Sequence, residues 1–449
     1  MKFQINFFLN NILKLILNDV SKIIFLNGIS IFFNDVSKIS ISIFFHTFHY
    51  TIEIEEAKSE IIKFFYLFAE QEKQKPDFDY FSLIIRLVDH SSNDNTLLLR
   101  ATFPCSYIPV ENFNFDGVKT LAEIRFPSIF TSINKYAFRG CISLTRITIP
   151  SSVTTINECA FYGCINLVKI VIPSSVTSIG GSAFVECLSL EKIEIPSSVL
   201  SIGDYCFSKC KSLYRIIIDS SETLIGNYCF YYCESLEEIE LPISMTTIGN
   251  GLFDECISLK KVEIPSSVTS IGDCSFRECS KLVKIQIPSS VTSIGNFSFG
   301  GCTNLEEIEI PSSVTSIDRY AFYNCSSLKN IKFEEPSAIT IIRKGLFQRC
   351  RSLEHIKLPS LVNVIEKRAF QGCALKEIEI PSSVATINKR LFEECYSLER
   401  IKIPSSVTSI KKEAFSRCMS LKRVIIPSSV TSIEPESFYD CSKLEYIEI

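Results

Sequence analysis

The chain has 449 residues, 46% of them apolar, and a formal net charge of −4. That is enough apolar side chain for a long core, while the near-balanced charge, with no long single-sign run, excludes the footprint of a nucleic-acid or anionic-membrane binder. Only four histidines (His46, His49, His90, His355) are present, which leaves few acid–base groups for catalysis near neutral pH.

In chain order, the first stretch is residues 1–45, rich in Phe, Ile and Asn, with NDVSKI written from Asn18 and again from Asn34. It has the composition of a degenerate signal or anchor. Its longest uncharged run, residues 23–34, nevertheless carries Asn27, Gly28 and Ser30 and falls well short of the roughly 20 apolar residues of a span. No small-residue cleavage site is present after it, and no membrane span is predicted. Residues 52–74 have acidic residues first and apolar residues at helical spacing, which predicts a helix. KPDFDYF and HSSNDN read as loops. Residues 1–120 are therefore expected to form a small, partly helical region that caps the first coil of a repeat array.

That array begins at residue 121. IPSSVTSI occurs six times without error, from Ile172, Ile264, Ile287, Ile310, Ile403 and Ile426. Cysteines recur in one register from Cys141 and Cys164 to Cys418 and Cys441, defining fourteen units of about 23 residues. In residues 187–209, Leu190, Ile193 and Ile195 form an LxxIxI strand, Val199 and Ile202 a second apolar wall, and Phe207 closes the turn. Proline ends the first strand (Pro150, Pro173, Pro196), because it has no backbone donor to continue a ladder. Serine and threonine after it suit a corner. A 23-residue coil cannot bury its apolar side chains alone, so each must stack on its neighbour. The octapeptide then reads as corner and back wall rather than as a ligand site.

One cysteine per repeat is not the clustered spacing of a metal site, and Cys159, Cys206, Cys229 and Cys274 add no CxxC. Stacked coils at roughly 4.8 Å would allow disulfides by distance. A column in which each thiol has two equivalent neighbours defines no unique pairing, so free buried thiols are expected, which points to a reducing compartment. No metal and no cofactor is predicted.

The pattern CxxLxxIxIPSSVTSIGxxAFxxC, in register over residues 121–449, resembles the BspA-like class of leucine-rich repeats found in microbial surface antigens. The resemblance implies a leucine-rich-repeat solenoid, a horseshoe or arc of about fourteen coils with parallel strands on the concave face. It also implies a function in adhesion or protein binding, a place at the cell surface or outside the cell, and no catalytic residues. The location conflicts with the thiols and the missing signal, which favour the cytoplasm, and both places stay open.

Three units depart from the pattern. Glu334 and Glu335 are inserted after Phe333, one residue is missing between Cys373 and Leu375, and residues 216–226 (IIIDSSETLIG) put Asp219 for proline and Glu222 for the wall valine. A buried unpaired charge is expensive, so local rearrangement should keep Glu222 in water. The alternative is a weak point where the stack bends or a partner docks. The last repeat stops at CSKLEYIEI without a polar cap, which leaves an edge strand, end-to-end association with another chain, or a shortened product as options.

Side chains alternate along a strand, so the residues flanking the second Ile of LxxIxI face outward in two columns. These vary while the core does not. Lys192, Glu194, Glu238, Glu240, Lys261, Glu263, Glu307 and Glu309 lie in the earlier coils, with acidic residues gathered in the middle; Lys332, Lys357, Arg400, Lys402 and Arg423 turn the later coils basic. One reading is a bipolar strip that docks a protein partner, charge setting register and on-rate. The others are a solvated face whose Lys–Glu pairs prevent edge aggregation, or a multivalent surface filler without a specific ligand. A thiol-dependent enzyme is a further alternative, but no recurrent histidine accompanies the cysteines.

Overall fold

The computed structural model describes residues 115–126 and 130–448, together with six strand segments before them. The chain divides into two compact units, Met1–Ser175 and Val176–Ile449.

The first unit opens with a seven-stranded sheet in sequential order: β1 (Ile24–Leu26), β2 (Ile29–Asp35), β3 (Lys38–Phe45), β4 (Phe48–Ile54), β5 (Ile84–Asp89), β6 (Leu97–Thr102) and β7 (Leu121–Arg125). Strands β1 to β4 form an antiparallel meander, β5 and β6 are antiparallel, and β4–β5 and β6–β7 pair in parallel. Of the uncharged run 23–34, residues 24–26 lie in β1 and 29–34 in β2, and the second NDVSKI supplies the end of β2 and the start of β3. Of the helix expected at 52–74, Ile52 to Ile54 end β4 instead; the rest lies outside the described residues. β7 belongs to two structures at once. It closes the sheet, and its buried Leu121 and Ile124 occupy the Leu and Ile positions of a coil. Ala101 pairs with Ile124, at the spacing of the repeat. The stacked phenylalanine column also begins ahead of residue 121, at Phe115, whose ring lies 5.6 Å from that of Phe138. Aligning on cysteines passes over this coil because Val118 stands where later coils have cysteine.

The rest is a parallel-strand solenoid of about 14 turns at about 23-residue spacing, with no helix among the described residues. Residues 287–310 show why the sequence folds this way. Val291 N–H donates to Pro288 O at 3.0 Å and closes the PSSV corner. Ser290 Oγ donates to Val268 O of the preceding coil at 2.6 Å. Thr292 donates twice to Thr269 O, from its backbone at 2.8 Å and from Oγ1 at 3.1 Å. Ser293 and Ile294 then pair in parallel with Ser270 and Ile271. The octapeptide is repeated because its polar side chains, as well as its apolar ones, bond to the same residues one coil earlier.

Beyond this corner Phe299 stacks between Phe276 and Phe322, with centroids 5.3 and 5.5 Å away. The turn that carries each phenylalanine has two residues at positive φ, two before and two after the ring, here Phe297 (52°) and Gly301 (79°). Cys302 Sγ donates to Phe276 O at 3.1 Å, and Leu305 is fully buried.

The irregular units keep the core. After the insertion, Glu334 N–H continues the ladder to Ile310 O at 2.9 Å, while Ile339 and Ile342 remain buried. After the deletion, Cys373 still donates to Phe347 O at 3.0 Å. At the third break Glu222 is exposed, and the wall position is taken by Thr223, fully buried with Oγ1 donating to Val199 O at 2.6 Å. The carboxylate stays in water by a one-residue shift of the wall.

Candidate protein-binding face

The strands that carry the variable columns show the burial pattern exposed–buried–exposed, as in Arg146–Thr148, Lys169–Val171, Arg400–Lys402 and Arg423–Ile425. The central Ile or Val enters the core and its neighbours face solvent. All thirteen residues expected on this face lie there; twelve are exposed, and Lys192 is half-exposed.

The structure does more with them than display two signs of charge. Lys192 pairs with Glu194 at 2.7 Å and Lys261 with Glu263 at 2.8 Å within a coil. Lys284 bridges to Glu307 at 2.8 Å and Arg400 to Glu377 at 2.7 Å, each across one coil step. Lys332 pairs with Glu309 and Arg423 with Glu448 in the same manner. The bonds leave a mark on protonation: hydrogen bonding to Glu307 raises the Lys284 ammonium and lowers the Glu307 carboxyl. The same exchange raises Lys261 and lowers Glu263. Of the thirteen, Glu238, Glu240, Lys357 and Lys402 form no ion pair among the described residues. Glu238 and Glu240 stand close enough to Lys261 to raise its ammonium further.

The two columns flanking the Ile are joined by a third that they do not predict. The residue after the strand leucine is also exposed, and it pairs across coils as Lys260–Glu237 at 2.9 Å, Lys329–Glu306 at 3.3 Å, Lys376–Glu354 at 2.6 Å and Lys422–Glu399 at 3.4 Å. Its signal in the sequence is the alternation of Lys and Glu one repeat apart, as legible there as in the other two columns.

The thiols sit elsewhere and are held. The register cysteines donate Sγ–H to the carbonyl of the phenylalanine one coil earlier, for example Cys164 to Phe138 O at 3.1 Å and Cys373 to Phe347 O at 3.0 Å. The described cysteines are free. Burial pushes Cys164 and Cys395 up to about 12, so the thiolate needed for nucleophilic attack is disfavoured. Among the described residues no three His, Cys, Asp or Glu side chains gather as metal ligands. Nor is there, among the described residues, a helix long and apolar enough to cross a membrane.

Comparison with known proteins agrees with this geometry. The family model for the BspA type leucine rich repeat region (6 copies) matches residues 90–214, 131–260, 246–374 and 320–445. A solved leucine-rich repeat protein from Bacteroides ovatus is 29% identical, with a TM-score of 0.63, over 81% of this chain and 92% of its own. A leucine rich cell surface protein from Faecalibacterium prausnitzii is 29% identical with a TM-score of 0.48, over 71% of this chain and 89% of its own. Comparison with curated proteins gave no significant match. The family and fold are typically non-enzymatic, and the family is one of protein-interaction scaffolds. Since the matched stretches together span residues 90–445, this chain belongs to the BspA-type leucine-rich repeat family.

Proposed function

We propose that the chain is a non-catalytic scaffold that binds a protein partner through the strand-bearing face of its coils. The observation that supports this reading is the contrast along each strand: the buried Ile or Val is nearly constant, while its exposed neighbours change from coil to coil. A face kept only for stacking has no need to vary. Cross-coil pairing narrows the docking contacts, because a paired charge offers a partner little beyond its surroundings. Glu238 and Glu240 then form the acidic contact, and Lys357 and Lys402 the basic one. Glu263 and Glu309, already engaged with lysines, support the face rather than contact the partner.

The test is site-specific photo-crosslinking from position 240, with position 292 on the corner side as control. A discrete adduct is expected from 240 only, lost when Glu238→Lys is added and kept when the Glu309–Lys332 pair is swapped. An undiminished adduct in the reversed variant would overturn the reading. The same ion pairs favour a second reading, a multivalent structural face without a specific ligand, which predicts no discrete adduct from either position.

A further inference from the structure

A second charged feature lies away from the strand face, in the turn that precedes each phenylalanine. Three residues before the ring, the middle coils carry Asp204, Asn227, Asn250 and Asp273, each accepting the backbone N–H of the equivalent residue one coil later. The distances are 2.7 to 2.9 Å, and Asn296 ends this ladder. At that position the next five coils change to Arg319, Lys344, Lys367, Lys389 and Lys412. Their stacking is fixed by backbone bonds: Tyr320 N–H donates to Lys344 O at 3.0 Å, and Gly345, Arg368 and Arg390 N–H donate to Lys367, Lys389 and Lys412 O at 3.2 Å each. The five cations therefore stand in single file, one coil rise apart.

Such a column is costly in isolation, since like charges directly opposite on neighbouring strands repel. Local carboxylates do not fully offset it. Lys412 pairs with Glu436 at 3.3 Å, and Lys344 lies 5.2 Å from the centre of the Tyr320 ring. Arg319, Lys367 and Lys389 are exposed and make no ion pair among the described residues. The acids in the turn are otherwise engaged: Asp318 accepts Arg319 N–H and lies 3.8 Å from Arg343, while Glu366 and Glu434 accept Lys344 and Lys412 N–H at 2.8 Å. Glu413 is bound to Arg390. Those glutamates take over the backbone duty that Asp and Asn perform in the middle coils. Lys412 and Lys344 are thus partly engaged, by Glu436, Glu413 and the Tyr320 ring, while Arg319, Lys367 and Lys389 hold no ion pair among the described residues.

From this we infer that the column is a binding ridge for a linear sulfated polysaccharide. A single file of point charges at roughly 4.8 Å suits a chain that presents anionic groups along a narrow sugar backbone, each sugar advancing by about one coil. A single-stranded nucleic acid would want a row of free aromatic rings for its bases, whereas the rings at the head of this stretch, Phe297, Tyr320 and Tyr323, pack on one another and the later coils put Gly345, Arg368 and Arg390 at the position of Tyr320. An anionic vesicle needs a broad basic patch, and this column, though flanked by Arg343, Arg368, Arg390 and Lys411, has Asp318, Glu366, Glu413 and Glu434 interleaved with them.

The experiment titrates the full chain with heparin and, separately, with neutral dextran, a single-stranded oligonucleotide and phosphatidylserine vesicles. Heparin is expected to bind with strong salt dependence and dextran not at all. In Lys344→Gln/Lys367→Gln/Lys389→Gln the slope of log affinity against log salt should fall by about two. The melting temperature should hold or rise, because repulsion is removed; a fall would mean the lysines serve the fold and would overturn the inference. The swapped pair Glu309→Lys/Lys332→Glu on the strand face should bind heparin as the parent does. Unchanged heparin binding in the triple variant, or tighter binding of the oligonucleotide or the vesicles, would also overturn it. Failure here leaves the crosslinking result at position 240 untouched.

Discussion

The cysteine of each coil looks from composition like a reactive group and behaves in the structure as a core donor. Cys302 has no exposed surface, and its thiol supplies the hydrogen bond to Phe276 O. Cys302→Ala removes that donor and leaves a small void, so a loss of about 2 kcal/mol is expected, read as a lower midpoint in urea. Cys302→Ser, which can still donate, should lose less. The column also sets an alkaline limit. Burial raises the thiols above their ordinary value of 9.0, with Cys164 and Cys395 at about 12. A group whose folded pKa is raised gives stability that is complete below the unfolded value and disappears as pH climbs through the folded one. Melting temperature should therefore be level to about pH 8.5 and fall steeply between pH 9 and 12, more steeply than in a variant with several register cysteines replaced by serine. The position of these thiols was legible in the 23-residue register. Their hydrogen bond was not, because nothing local in the sequence shows that the carbonyl it meets lies 26 residues back.

At the scale of the coil, two junctions separate what the pattern revealed from what only packing decides. The break at Glu222 was visible as a charge in an apolar column, and its resolution by exposure is the outcome that the cost of burying it demands. That Thr223 would enter the wall was not visible, since it needed a one-residue shift. Glu222→Ala should then change stability by no more than about 0.5 kcal/mol, and Thr223→Ala, which empties a buried site and strips Val199 O of its partner, by about 2 kcal/mol in chemical unfolding. The other junction gave no sequence signal of its own. Asp254, only 2% exposed, receives Arg277 from the next coil through two bonds of 2.7 and 2.9 Å. Burial raises its carboxyl, and the arginine partly offsets this. Arg277→Ala leaves the carboxylate buried and unpaired, which typically costs about 3–5 kcal/mol. Because protonation relieves that charge, the deficit should shrink as pH falls through the range in which Asp254 titrates. A deficit independent of pH would show that the pair matters through packing alone.

At the scale of the whole molecule, each coil bonds to its neighbours through the same ladders, so stability is close to a sum over coils and their contacts. The strand leucines, the prolines and the phenylalanine column made that architecture legible. The seven-stranded sheet ahead of it was not, because β1 to β5 carry no cysteine-marked repeat, β6 meets the repeat's spacing only in its last residues, and β7 hides inside the first coil. Pairing of surface charge was only half legible, since Lys and Glu one repeat apart could equally have formed a strip of open charge. Removing one register-exact coil, residues 287–309, separates these two uses of the face. The deletion keeps every ladder in phase, joining Gln286 to Ile310, so the shortened chain should fold with a melting temperature within a few degrees of the parent. It also brings Glu238 and Glu240 about 4.8 Å closer to Lys357 and Lys402. A partner that reads both sites at a fixed spacing should bind at least tenfold more weakly, while a multivalent face that offers many equivalent contacts should lose almost nothing. Binding measured for the parent, this deletion and the Glu238→Lys/Glu240→Lys variant therefore distinguishes spacing from charge: weakening by reversal alone would show that the acidic contact acts without the basic one.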